Sequence, residues 1–278
     1  MDPIHVAAAL LSAFLHAGWN AAVKASPRPD AAMAGQMIVG AVLVIPILAW
    51  TGLPAPAAWP WLMGSTCVNL LLVTALLRGY ALGGFGTVYP VQRAISVLCV
   101  VPLAAAMAGE HLGPAGITGV ALIVLALILL AIGGRRDRSF TPQAMLWTLA
   151  AGITASGYVI CDVNGVRVSG SALAYGCTAS ILNALSMTIR QRILGVPWRG
   201  FGGTWQVAVP AAIASMASYV LILWVWTHAP AAAGAALRDT SAVFAILIAV
   251  LFLRERFTPL RLIATLLACV AVPLLRFA

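Results

Sequence analysis

The sequence predicts an all-α integral membrane protein: ten transmembrane helices in two inverted five-helix repeats. Three observations carry this expectation. The 278 residues are 62% hydrophobic and only 8% charged, with a mean hydropathy of +1.01. Apolar runs long enough to cross a bilayer recur between short polar breaks. The few charged residues late in the first half return, in the same order, late in the second.

Ordinary soluble domains carry about 25% charged residues. A chain this apolar could not cover a soluble surface and belongs in lipid. The net charge of +9 does not indicate a nucleic-acid partner, because the arginines sit in short links rather than in one patch. The five cysteines (Cys67, Cys99, Cys161, Cys177 and Cys269) lie in or beside apolar runs, without a CxxC or a nearby His. They read as small core residues, not as metal ligands or disulfides. The N-terminal MDPIHVAAALL lacks the basic segment of a cleavable signal peptide and reads as the start of the first span.

A span needs about 20 apolar residues. The runs fall at 4–24, 31–50, 58–78, 86–108, 114–132, 142–162, 171–189, 204–226, 232–253 and 258–275. Breaks such as KASPRPD, GGRRDRSF and DVNGVRVSG separate them, none large enough to fold as a soluble domain. A shift of 145 positions lays Arg93 on Arg238, Ser96 on Ser241, Glu110 on Glu255 and Pro114 on Pro259. Matches of Arg and Glu are informative where charges are so few. The shift carries spans four and five onto spans nine and ten. Residues 1–134 and 142–278 then form two five-span repeats, and the odd number of spans inverts the second. Lys24, Arg28, Arg78, Arg135, Arg190 and Arg254, with their neighbours, flank one face, whereas only Arg167 and Arg276 flank the other. The positive-inside bias therefore puts both chain ends outside the cytoplasm.

A charge at the bilayer centre costs roughly 2.5–3.5 kcal/mol, so each polar residue within a span needs a partner or a wet cavity. Ser12, His16, Asn20 and Lys24 recur every fourth residue in SAFLHAGWNAAVK and form one stripe on the first helix. Interhelical glue and a solute or proton site both explain it. Trp19 adds an aromatic wall, and Lys24 at the helix end reads as snorkelling. Tyr89, Arg93 and Ser96 share a face of the fourth span, and Thr154, Tyr158 and Asp162 share one of the sixth. Arg238 and Asp239 adjoin at the ninth. The arginines suit an anionic group, or a buried structural pair. Asp162 reads either as a proton carrier or as a helix-end carboxylate in water. Asn69, Asn183, Ser215 and Tyr219 are weaker candidates for a cavity wall. Gly152 and Ser156 read as a close helix contact. Glu110 and Glu255, each four residues before a proline, read as turn and cap devices. The Gly/Pro-rich openings GGFGTVYP and HAPAAAG, partly matched by the shift (Gly86 on Ala231, Pro90 on Ala235), mark the expected binding region.

Together, HAGWNAAVK, TVYPVQRA, GEHLGP, YVICDVNGVRVSG and ALRDTSAVFAILIAVLFLRERF resemble the EamA-type transporters of the drug/metabolite transporter superfamily, across essentially the whole chain. The resemblance implies ten helices in two inverted repeats around a central cavity, with alternating access. It implies movement of amino acids, other metabolites or drugs, with proton coupling or exchange. Two features depart from the family pattern. Ten-span members are described with both ends in the cytoplasm, against the Arg bias here, and Gln92 stands where a small or apolar residue is expected.

The sequence thus predicts a secondary transporter, not an enzyme, in the cell's plasma or inner membrane. Its expected partners are a small solute and the bilayer, with no cofactor or nucleic acid and a homodimer left open. Its site residues are His16, Trp19, Asn20, Tyr89, Arg93, Tyr158, Arg238, Asp239 and Tyr219, with His16 and Asp162 as proton carriers. The rival is a multi-span enzyme acting on a lipid-linked substrate. Such an enzyme needs paired acids or a nucleophile with its base. The chain has only seven acids, and no two share a span at helical spacing.

Overall fold

The structure, a computed structural model, describes residues 2–108, 113–137, 140–195, 203–228, 237–255 and 258–276. Within them lie ten α-helices: α1 (Pro3–Ala25), α2 (Pro29–Thr51), α3 (Trp59–Leu82), α4 (Phe85–Ala108), α5 (Pro114–Asp137), α6 (Pro142–Arg167), α7 (Ala172–Ile193), α8 (Trp205–His228), α9 (Ser241–Leu251) and α10 (Pro259–Arg276). Five of them open on proline, whose fixed φ suits the first turn and whose missing N–H costs nothing there. Asp2 caps α1 by accepting from the Ile4 amide at 2.8 Å, and Ser171 caps α7 by accepting from Ala174 at 3.2 Å. Gly52, at φ 72, ends α2 in a backbone conformation that a side chain would strain.

Among the described residues, α1, α2, α3 with its preceding 3₁₀ turn, α6, α7 and α8 are long and apolar enough to cross a bilayer. Shorter apolar stretches run over Pro114–Ala126 and Leu262–Ala271. Large apolar side chains such as Ile45, Leu71 and Leu146 are exposed along the helices, as lipid contact requires. Several boundaries differ from expectation: α3 and α7 run four residues past their expected ends, to Leu82 and Ile193, and α5 runs five past, to Asp137. The sixth span does not end at Asp162; α6 continues to Arg167, because nothing in VNGVR interrupts it. The ninth run breaks at Thr240, between a helical turn at 237–239 and α9, where the Thr240 hydroxyl donates to the Leu237 carbonyl at 2.6 Å. The cysteines are only partly core: Cys177 is buried, whereas Cys67 lies exposed on α3, where lipid tolerates a thiol.

The chain forms two compact units, residues 1–70 with 157–234, and residues 71–156 with 235–278. Each unit therefore combines a segment from each half of the chain. In the first unit, α1 packs on α8, and α2 packs on α7 and α8. Small residues allow this. A Cβ on Gly35 of α2 would lie 3.2 Å from the Ala208 Cβ of α8. Ser12 and Ser218 join α1 to α8 reciprocally: each hydroxyl donates to the other's carbonyl, at 2.7 and 2.8 Å. In lipid, where apolar surface gives helices little reason to associate, such bonds and close packing hold them together. In the second unit, α5 packs on α10, and α4 packs on α9 and α10. Gly152 and Ser156 of α6 do make the close contact expected of them. A Gly152 Cβ would meet Ile95 at 2.5 Å, and the Ser156 hydroxyl donates to the Ser96 carbonyl at 3.1 Å.

Replacing Ser12 or Ser218 by Ala is expected to lower the thermal stability of the detergent-solubilised protein. A double-mutant cycle should give a coupling of about 0.6–1.7 kcal/mol. Additive effects would show that the two hydroxyls do not act as a pair.

Candidate functional site

In the first unit the central group is the Asp162 carboxylate, fully buried on α6. One oxygen accepts from the Ser65 hydroxyl of α3 at 2.6 Å and from the Tyr175 hydroxyl of α7 at 3.1 Å. The other accepts from the Tyr219 hydroxyl of α8 at 2.8 Å. Tyr158, one turn earlier on α6, also bonds the carboxylate. Four hydroxyls from four helices thus converge on one acid, and among the described residues no Lys, Arg or His forms an ion pair with it. The alternative reading of Asp162, a helix-end carboxylate in water, does not hold.

Local folding explains the convergence. The α6–α7 turn lies at Val168–Gly170, and the hairpin it makes brings Tyr175 back beside Asp162. The loop ahead of α3 is pinned to that turn, with the Ala55 amide donating to the Ser169 carbonyl at 3.0 Å. From there α3 runs antiparallel to α6: Trp61 lies against Gly165, Gly64 against Cys161, and Val68 against Gly157. Ser65 then falls at Asp162.

The second unit holds a different chemistry. Arg93 on α4 lies 3.8 Å from the Asp239 carboxylate, a loose ion pair. Its guanidinium sits 5.5 Å from the Tyr89 ring centroid and reaches the Tyr89 oxygen at 3.5 Å. Tyr89 in turn donates to the Ser241 hydroxyl at 3.0 Å. The Arg93 Nε is buried without a hydrogen-bond partner. Arg238 and Asp239 are both buried as well.

Glu255 does something its spacing did not suggest. Its two oxygens accept from the Phe85 and Gly86 amides at 2.7 and 3.1 Å, at the start of α4. Gly84, whose carbonyl receives the first helical bonds there, has no side chain to satisfy these amides. A carboxylate from elsewhere in the chain takes that place, favourably placed at the helix dipole. The turn that delivers it carries Arg254 at φ 53, a strained conformation for a residue with a side chain. Glu110, the repeat partner of Glu255, and the HAPAAAG opening lie outside the described residues, apart from His228 at its start.

The other predicted residues divide. Tyr158, Tyr219 and Asp162 come together, as do Tyr89, Arg93 and Asp239. Thr154 does not join Asp162; its hydroxyl turns back to the Ala150 carbonyl of its own helix. On α1, Ser12 is glue to α8, and the Asn20 amide bonds the His16 carbonyl of its own helix at 2.9 Å. The His16 ring is half-buried and meets Trp19 edge-on at 5.3 Å. Ser65 and Tyr175 were missed. Tyr175 was findable, because it and Asp162 lie at similar distances from the SG turn. Ser65 had no signal beyond its polarity.

These spans and this fold define a multi-pass membrane protein. Residues 142–277 match the model of the EamA-like transporter family. No curated protein matches. A solved structure titled only "Crystal structure of protein" is similar in fold, with a TM-score of 0.64 at 20% identity, over 98% of this chain and 94% of that one.

Glu255→Ala is expected to cost about 0.5–2 kcal/mol of stability, as the loss of a helix cap does. It should also speed hydrogen exchange at Phe85 and Gly86, with Glu255→Gln affected less. Unchanged exchange at those amides in Glu255→Ala would refute the cap.

Proposed function

We propose that the chain is a secondary active transporter of a small metabolite (amino-acid-like, an organic anion or a drug), working by alternating access in the cell's inner membrane. Export, with proton coupling or exchange, is the direction favoured by the family likeness. The two inverted repeats expected from the sequence belong to this reading. They are supported by the packing of α4 on α9 and α5 on α10, the helices that the 145-residue shift relates.

The observation that carries the proposal is Asp162, a buried carboxylate whose partners are hydroxyls rather than a basic group. Burying a charge is costly unless it is compensated. A permanent structural acid would be better served by Arg or Lys, whose charge does not change. Hydroxyls both donate and accept, so they can satisfy the ionised and the protonated acid. As a carboxylate, Asp162 ties α3, α7 and α8 to α6. Once protonated it accepts fewer bonds, and at least one of its four hydroxyl partners must reverse or release. That links one proton to helix packing. Asp162 is better supported in this role than His16, whose ring is only half-buried and packs on Trp19. Arg93, with a loose ion pair and an unpartnered buried Nε, supports binding of an anionic group on the solute.

In liposomes holding a pH-sensitive dye, one solute from a panel of amino acids, organic acids and cationic drugs should evoke a pH change. Asp162→Asn should abolish the pH change while labelled-solute exchange persists. No pH change with any solute would overturn proton coupling for that panel, and absence of labelled counterflow would overturn transport of those solutes. Arg93→Lys should raise the KM for an anionic solute by roughly tenfold, since one lost charge-assisted bond is worth about 1.5–3 kcal/mol. An unchanged KM would remove Arg93 from the site.

A further inference from the structure

We infer that Gly165 is a positioning residue for the proton site, because its missing side chain is the slot through which Tyr175 reaches Asp162. This rests on the reading of Asp162 as the proton carrier. Gly165 lies three residues beyond Asp162 on α6, on the same face. A Cβ there would stand 2.5 Å from the Tyr175 oxygen, 2.6 Å from its ring and 2.8 Å from the Trp61 Cβ. Real Cβ atoms do not approach so closely. The clash is with the phenol at the end that bonds the acid and with the base of a side chain on α3, so neither neighbour can yield without moving a helix or withdrawing the hydroxyl. Glycine in a helix interior is destabilising relative to alanine. Gly165 has a helical backbone and needs no glycine for its own conformation. What it supplies is space.

The consequence falls on one bond in particular. Tyr175 makes the longest of the three measured contacts with the carboxylate, 3.1 Å against 2.6 and 2.8 Å. The titratable groups around Asp162 are Tyr158 and Cys161 on α6, Tyr175 on α7 and Tyr219 on α8. Ser65 is the contact from α3, and no basic side chain pairs with the acid among the described residues. With the charge held only by hydroxyls, each donor matters to the proton equilibrium. Losing the Tyr175 donor removes more support from the charged form than from the neutral one, so the acid takes up its proton at a higher pH. A hydrogen bond to a charged group corresponds to a shift of about one to two pH units.

The test needs no solute. The full chain is purified in detergent and its melting temperature is followed from pH 5 to 9. Wild type should show a pH-dependent step that disappears in Asp162→Asn. Tyr175→Phe and Gly165→Ala should each move the step to higher pH by a similar amount, and the double variant should move it no further. Gly18→Ala, an α1 position with no neighbour within 4 Å of the added carbon, should leave it in place. If Gly165→Ala is not recovered folded, adding Tyr175→Leu together with Trp61→Gly should restore it by removing both clashing groups; failure to do so overturns the inference. A step that persists in Asp162→Asn overturns the reading of Asp162. A step lost in Asp162→Asn but unmoved by Gly165→Ala overturns only the role of Gly165.

Discussion

The first unit is organised by the need to satisfy one carboxylate in an apolar interior. Water is not available there to pay for an ionised acid. Asp162 therefore draws a hydroxyl from each of α3, α6, α7 and α8, and the packing of those helices follows from the reach of their side chains. Ser65 has a short reach, so α3 must come close to α6. Gly64, Gly157 and Gly165 make that approach feasible. Tyr175 and Tyr219 have long reach, so α7 and α8 can stand further off while still delivering a donor. Away from the acid the unit relies on alanine faces and on the Ser12–Ser218 exchange, where no charge has to be met.

The second unit answers the same constraint with cations. Arg93 has a carboxylate neighbour at a distance too long for a good hydrogen bond, an aromatic face and a phenol oxygen. Each is a weak partner, and a guanidinium has five donors to place. The Glu255 carboxylate is committed instead to the first amides of α4, the helix that carries Tyr89 and Arg93 one and two turns further on. Fixing the start of α4 fixes the register of both side chains. In a chain with only seven acids, one is spent on aligning this helix.

Much of the architecture was legible in the sequence, because a bilayer leaves few options. Apolar length and proline at helix starts marked the helices to within a few residues over most of the chain. Where the reading slipped, polarity was mistaken for termination. DVNGVRVSG looks like a loop, yet its first six residues continue α6, with Asp162 partnered by hydroxyls and the Asn164 amide donating to the Ile160 carbonyl one turn back. The polar stripe on α1 was legible as a pattern but not in its use: Ser12 bonds another helix, Asn20 its own, and spacing alone cannot tell these apart. Glu255 shows the same limit. Its distance to Pro259 pointed to a local cap, whereas its partners are about 170 residues away along the chain. Asp162 was visible as an acid in an apolar run, but its hydroxyl shell is tertiary and had to be seen in three dimensions.

The choice of partners separates an acid that only stabilises from one that exchanges a proton. A carboxylate held by arginine gains a fixed, donor-only neighbour, and protonating it leaves an uncompensated cation in the same low-dielectric space. A carboxylate held by hydroxyls has no such asymmetry. When the proton arrives, a phenol can rotate from donor to acceptor, and no net charge is stranded. The shell is then compatible with both states of the acid, at the cost of reversing or releasing one of its bonds. Arg93 is built the opposite way, as a charge that stays and is only loosely met by Asp239. An acid that can change state and a cation that cannot are the two elements needed to bind an anionic solute and to link its passage to a proton. On the proposed reading this chain carries one of each, in separate compact units.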